Sequence, residues 1–179
     1  MVGKLPDPAA VPGIGFAADG HAIALVGPFS PSLEGSELEK LRGRLSPSLP
    51  AVDLDAQARA LASLRLAARS GALATVHDIS EGGLLVAIAE CCIEGGLGAR
   101  IELPPSADEA TLFGEGPGGV VVAGPPEAVA AVPGAQVIGS VGGSDLASEG
   151  ALSLPRGRLR EAYEGAIPSA YLGGLQRTA

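Results

Sequence analysis

The alternation of apolar and polar positions divides the chain into short strands and helices. "GIGFAA" (13–18) and "HAIALVG" (21–27) read as two strands, with "DG" at 19–20 as a hairpin turn signal. "PFSPSLEGSE" (28–37) reads as a loop leading into a short helix that ends near Arg42, and "RLSPSLP" (44–50) as a second loop. The clearest helix spans 52–71. Asp53 is placed to cap it, Leu54, Ala58, Leu61, Leu64 and Ala68 share one face, and Gly71 stops it. "ALATVHD" (72–78) reads as a strand and feeds a helix, "LLVAIAECCI", that is apolar all round and therefore expected to be buried.

The remainder is weaker in pattern. "GARIEL" (98–103), "GGVVVAG" (118–124), "AQVIGSVGG" (135–143) and "ALSL" (151–154) read as strands. "SADEATLFGEG" (106–116), "PEAVAAV" (126–132) and "RLREAYEG" (158–165) carry short helices. The early hairpin interrupts strict β–α alternation. This predicts an α/β (α+β) sandwich, a mixed β-sheet with helices mainly on one face. Residues 1–12 read as an extended, proline-rich lead-in, and 13–179 as one domain.

Composition narrows the function classes. Hydrophobic residues make up 46% and charged residues 18%, so disorder is not expected. A net charge of −8 and 3% aromatic residues speak against nucleic acid, which needs basic neutralisation and stacking platforms. No apolar run reaches the roughly 18 residues of a membrane span, and "MVGKLPDPAAVPG" lacks a signal-peptide core, so no membrane partner is expected and the chain is placed in the cytoplasm. Cys91 and Cys92 are adjacent. Helical neighbours diverge by about 100°, so they read as two buried small residues and not as a disulfide or metal pair.

Chemistry concentrates at "HDISEGG" (77–83). Asp78 and Ser80 end a strand, and Gly82 and Gly83 let a ligand or a neighbouring segment approach the start of the apolar helix. Free N–H groups there attract anions, and Asp78 is compatible with phosphate if Mg²⁺ lies between them. The competing reading has Asp78 and Ser80 merely capping a helix, with Ser80 as the N-cap. Glu115 sits among glycines in "LFGEGPGG"; a plain turn with an exposed acid is its alternative. His77, next to Asp78, has the chemistry of a general base, against which stands the commoner reading of a strand histidine as a satisfied structural residue. "GIGFAA" matches a dinucleotide fingerprint in letters only, because no strand precedes it and no helix follows.

Four stretches in order resemble one family. "VHDISEGGLLVAIAECCIEGGLGARIEL", "PDPAAVPGIGFAADGHAIALVG", "LEGSE" and "LFGEGPGGVVV" are similar to segments of phosphoribosylformylglycinamidine synthase, in its small, multi-subunit form. The chain resembles the last of four domains, the C-terminal type of the aminoimidazole ribonucleotide synthetase superfamily. That resemblance implies an ATP- and Mg²⁺-dependent ligase that converts formylglycinamide ribonucleotide and glutamine-derived ammonia to the amidine in purine biosynthesis, with the isolated domain inactive. By position it makes Asp78 the Mg²⁺ ligand. Glu115, Gly116 and Pro117 fall on the substrate loop, and Ser80, Gly82 and Gly83 on the nucleotide or substrate side. The implied partners are the remaining domains of the synthase, a separate glutaminase subunit and a small accessory subunit, with self-association of the isolated domain a further expectation. A start at Met1 near a domain boundary implies an excised piece or a split gene. A non-catalytic scaffold domain, or the equivalent domain of another superfamily member such as aminoimidazole ribonucleotide synthetase, are the alternatives.

Overall fold

The computed structural model describes residues 7–48, 51–104, 106–148 and 152–176. The expected lead-in (1–12) lies outside these residues up to position 6, as do the end of the 44–50 loop and the first residue of the 151–154 strand. The strands are β1 (Ala22–Val26), β2 (Thr75–Asp78), β3 (Ala99–Ile101), β4 (Val120–Gly124), β5 (Gln136–Val141), β6 (Asp145–Ser148) and β7 (Leu152–Pro155). The α-helices are α1 (Glu37–Leu41), α2 (Leu54–Arg69), α3 (Gly83–Gly95), α4 (Glu109–Phe113), α5 (Pro126–Ala130) and α6 (Arg156–Gln176). A single 3-10 turn, Pro8–Ala10, lies in the lead-in, capped by Asp7.

All seven strands join one sheet in the order β2-β4-β1-β5-β3-β6-β7. Only the β3–β6 pair is parallel. Strand alternation sends side chains to two cores. Ile23, Val121, Ala123 and Val141 face α3, whose Leu84, Ala87, Ile88, Cys91 and Cys92 complete that layer, and Leu159 of α6 packs against it. Ala22, Ala24, Val120 and Val122 face the other way, toward Leu64 of α2 and Val129 of α5. The mixed sheet with helices is as the sequence pattern predicts, and the larger helical layer lies on the α3 side.

Some details differ from the pattern. Residues 13–18 form no strand beside β1, because β4 and β5 occupy both edges of β1. Gly13 instead makes a single parallel bridge to Thr75. Phe16 is buried against the end of α3, its N–H donating to the Cys91 carbonyl at 3.0 Å. The chain crosses there because Gly15 and Gly95 have no side chains: a Cβ on Gly95 would lie 2.1 Å from the Phe16 carbonyl oxygen. Strand β6 is short and half polar and escaped the pattern. In α2 the expected face is rotated. Leu64 is buried as expected, but Leu54 and Leu61 point to solvent while Ala56, Gln57, Ala60 and Ala67 turn inward.

Candidate functional site at the acidic corner

Strand β2 runs antiparallel to β4, with Asp78 opposite Val120, and the Ile79 N–H donates to the Gly119 carbonyl at 2.9 Å. This pairing ends the strand and leaves the Asp78 side chain 73% exposed. The Ser80 hydroxyl donates to Asp78 Oδ2. That hydrogen bond holds the Asp78 carboxyl below the usual aspartate range, so it is an anion at neutral pH. Asp78 is thus open to a ligand and not walled in by its neighbours.

Ser80 is not the N-cap of α3. Gly82 takes that position at φ +85°, followed by Gly83 at φ +76°. The Gly83 N–H donates to the Ser80 carbonyl at 3.1 Å. The Gly82 N–H donates to Glu115 Oε1 at 2.9 Å, and the same oxygen accepts from the Glu37 N–H at 2.8 Å. Glu115 therefore serves two helix starts at once, where a negative charge is favoured by both dipoles. Two N–H groups expected to face a ligand are spent inside the fold.

Three loops converge as a result. Ser32 and Glu115 exchange backbone hydrogen bonds at 3.0 and 2.9 Å. Ser36, fully buried, caps α1 by accepting from the Glu39 N–H at 3.2 Å. The glycines at 82–83 admit a neighbouring segment: a Cβ on Gly83 would lie 2.6 Å from the Gly114 carbonyl oxygen. Gly116 is held as closely, with the Ser30 carbonyl oxygen 2.8 Å from where its Cβ would stand. Pro117 borders a shallow hollow of about 140 Å³ with Ser30, Asp53 and Gln57. Asp78 with Ser80 forms one group; Glu115 with Gly82, Gly83 and Gly116 forms the clamp beside it.

His77 has a structural partner, the commoner of its two readings. Its Nε2 lies 2.9 Å from Glu90 Oε2, and its Nδ1 is 3.7 Å from Asp78 Oδ1. Sequence reading missed Glu90, although it is the sole carboxylate within the apolar run of α3. It also missed the role of the Glu37 N–H. Cys91 and Cys92 are fully buried free thiols. Burial pushes Cys92 up to about 12 and raises Cys91 as well, so neither is a nucleophile.

The Asp78 carboxylate offers one anionic oxygen donor, held by the Ser80 hydroxyl, a chemistry that fits Mg²⁺ when phosphate and water complete its shell. Among the described residues no group of three or more His, Cys, Asp or Glu side chains could hold a metal without such help. No helix among them is long and apolar enough to cross a membrane.

Residues 18–147 match the family model of AIR synthase related protein, C-terminal domain. The chain belongs to this family. The phosphoribosylformylglycinamidine synthase subunit PurL of Anaeromyxobacter sp. (strain Fw109-5) is 38% identical over 189 aligned positions, covering 94% of this chain and 25% of that protein. The subunit of the same name from Thermosynechococcus vestitus is 41% identical over 138 positions, covering 70% of this chain and 18% of its own length. The chain thus spans about a quarter or less of the curated relatives it matches. Among solved structures, Thermotoga maritima PurL complexed with FGAR superposes with a TM-score of 0.70 at 16% identity, over 86% of this chain and 30% of that one. Hydrogenase maturation protein HypE in complex with ATP does so at 0.55 and 18%, over 80% and 52%. At these identities the likeness concerns the fold: an open mixed sheet with helices, common to this family.

Proposed function

We propose that residues 13–179 form the C-terminal-type domain of a phosphoribosylformylglycinamidine synthase, which joins ammonia to formylglycinamide ribonucleotide at the expense of ATP in purine biosynthesis. The relatives that cover almost all of this chain carry that name, and one solved relative is a complex with FGAR. The observation that carries a binding role is the exposed, ionised Asp78 at the strand end, with Ser80 fixing its orientation.

In this reading Asp78 ligates Mg²⁺ through its carboxylate, and the Ser80 hydroxyl keeps the acid in place and ionised. The ion supplies charge neutralisation for nucleotide phosphates at the acidic corner. Glu115 holds the Gly82 and Glu37 backbones, so the loops 33–37, 79–83 and 114–117 present one fixed rim. Gly116, Pro117 and the remaining oxygen of Glu115 lie on the substrate side of that rim, and Gly82 and Gly83 on the nucleotide side. The remaining domains of the synthase complete the cleft. A separate glutaminase subunit supplies ammonia and a small accessory subunit is a further partner, in keeping with a solved relative described as PurLQS.

A second reading is favoured by one observation: Glu115 and the Gly82 N–H already satisfy each other. A domain whose glycine loops serve only packing would have this feature too. Amidine formation assayed with ATP, Mg²⁺ and ammonia separates the cases. The chain alone is expected to be inactive, and the complete synthase active and impaired by Asp78→Asn. Full activity of the Asp78→Asn synthase favours the packing role, and turnover by the chain alone contradicts both readings.

A further inference from the structure

Of the two ring nitrogens of His77, one is engaged and one is open. The Nε2–H donates to Glu90 Oε2 at 2.9 Å, and Glu90 projects from the buried helix α3. A carboxylate accepts hydrogen bonds and does not donate them. The pairing therefore puts the ring proton on Nε2 and leaves a lone pair on Nδ1 of the neutral imidazole. Nδ1 lies 3.7 Å from Asp78 Oδ1, beyond hydrogen-bond length. Among the described residues the fully buried side-chain atom without a partner is His21 Nδ1, so His77 Nδ1 meets solvent even though its side chain is only 15% exposed. A hollow of about 70 Å³ beside Glu90 is lined by His77, Glu94 and Tyr163 but not by Asp78, so the two nitrogens face different surroundings.

An imidazole lone pair and a carboxylate oxygen thus stand close together with no donor between them. We propose that His77 Nδ1 and Asp78 Oδ1 together bind an imidazole-binding divalent ion of the Zn²⁺ or Co²⁺ type, with Glu90 holding the ring. This rests on Asp78 being a cation ligand, as in the proposed function. Mg²⁺ prefers oxygen donors and takes Asp78 alone, whereas Zn²⁺ takes both side chains and competes for the same carboxylate. Glu90 is then a positioning residue: it fixes the tautomer and orientation of the ring and makes it a more basic ligand. Two protein donors leave the rest of the shell to water or phosphate, in line with the lack of a three-residue cluster among the described residues.

The spacing favours a tetrahedral ion. Bonds of about 2.1 Å meeting at a tetrahedral angle set their donor atoms about 3.4 Å apart, against about 3.0 Å at an octahedral right angle. The 3.7 Å between Nδ1 and Oδ1 is nearer to the first. Asp78 sits at a strand end with its side chain largely exposed, so a small rotation closes the remaining gap.

Titration of the chain with Zn²⁺ tests this, read by the ring-nitrogen resonances of His77 and by calorimetry, with Mg²⁺ in parallel. Zn²⁺ is expected to move the Nδ1 resonance and leave the proton on Nε2. His77→Gln is expected to weaken Zn²⁺ at least as much as Glu90→Ala, for which loss of the ring's support predicts about ten-fold. Glu90→Gln keeps an acceptor for the ring and is expected to recover most of that loss. Mg²⁺ binding should be indifferent to His77→Gln, and His21→Asn should leave both ions unaffected. Zn²⁺ that fails to bind, that moves Nε2 instead, or that ignores His77→Gln overturns the proposal. If Asp78→Asn still weakens Mg²⁺ in that event, the proposed function stands without it; if Asp78→Asn changes neither ion, both fall. Should His77→Gln misfold, the Nδ1 resonance of the wild-type chain decides alone.

Discussion

Glu115 and Gly82, 33 residues apart, are joined by a 2.9 Å hydrogen bond from the Gly82 N–H to the glutamate carboxylate. The helix start has no side-chain cap of its own, since glycine occupies the N-cap. A distant carboxylate supplies the missing acceptor and ties in α1 through the Glu37 N–H. Local sequence thus leaves α3 uncapped, and tertiary structure caps it.

Removing that carboxylate exposes two donors without partners. Glu115→Ala is expected to lower stability by about 1–3 kcal/mol in urea unfolding. Glu115→Gln keeps a carbonyl acceptor and loses the charge, so its loss is expected to be smaller. Equal losses from both variants would show that geometry contributes nothing beyond charge.

Glycine has different roles at positions of similar φ. Gly20 (φ +79°) has open space around its Cβ position, whereas at Gly83 (φ +76°) a Cβ would press on the Gly114 carbonyl. Gly20→Ala is expected to cost about 1 kcal/mol from backbone strain alone. Gly83→Ala should cost clearly more and displace the 114–117 loop, visible as amide shift changes there. Matching costs would argue against close packing of the two segments.

The Ser80 hydrogen bond lowers the folded-state pKa of Asp78. A depressed carboxylate stabilises the fold above its unfolded value of about 3.9, and that contribution disappears as pH falls through the folded value. Solvent screening at this exposed site keeps the effect small. Ser80→Ala should move the Asp78 carboxyl titration upward in carbon-detected NMR. The small stability deficit of that variant at pH 7 should vanish at low pH. An unmoved titration would mean that Ser80 does not govern the acid.

Both cysteines should be silent toward thiol reagents in the folded chain. With Cys92 raised to about 12 by burial, its thiolate at pH 8 is scarcer than that of a free cysteine by roughly a thousand-fold. Modification by a chromogenic disulfide should therefore track unfolding as denaturant is added. Rapid labelling of the native chain would contradict the buried placement.

Legibility in the sequence followed locality. Helix α3 and strand β4 were readable because nearly continuous apolar runs between glycines leave few alternatives. Asp53 as the cap of α2 was readable too, and it accepts from the Ala56 N–H at 2.9 Å. The 13–18 segment misled because a turn signal says nothing about whether the neighbouring sheet edge is free; β4 and β5, about 100 residues later, fill it. Leucine spacing misplaced the inner face of α2, where Leu64 and Ala67, not Leu54 and Leu61, meet the cluster that holds Ala22, Ala24, Val120 and Val122 of the sheet. At the site, the exposure of Asp78 followed from its place at a strand end. The Glu115 clamp did not, because its partners are 33 and 78 residues away.

The central claim is that the Asp78 corner receives a divalent cation together with phosphate. Paramagnetic line broadening tests it, with Mn²⁺ standing in for Mg²⁺ in the presence of ADP and amide signals of the labelled chain as the readout. The account predicts that the signals of Asp78, Ser80 and Gly82 broaden first, and that Asp78→Asn abolishes this selectivity. Broadening that spares this corner, or that is the same in Asp78→Asn, would contradict it.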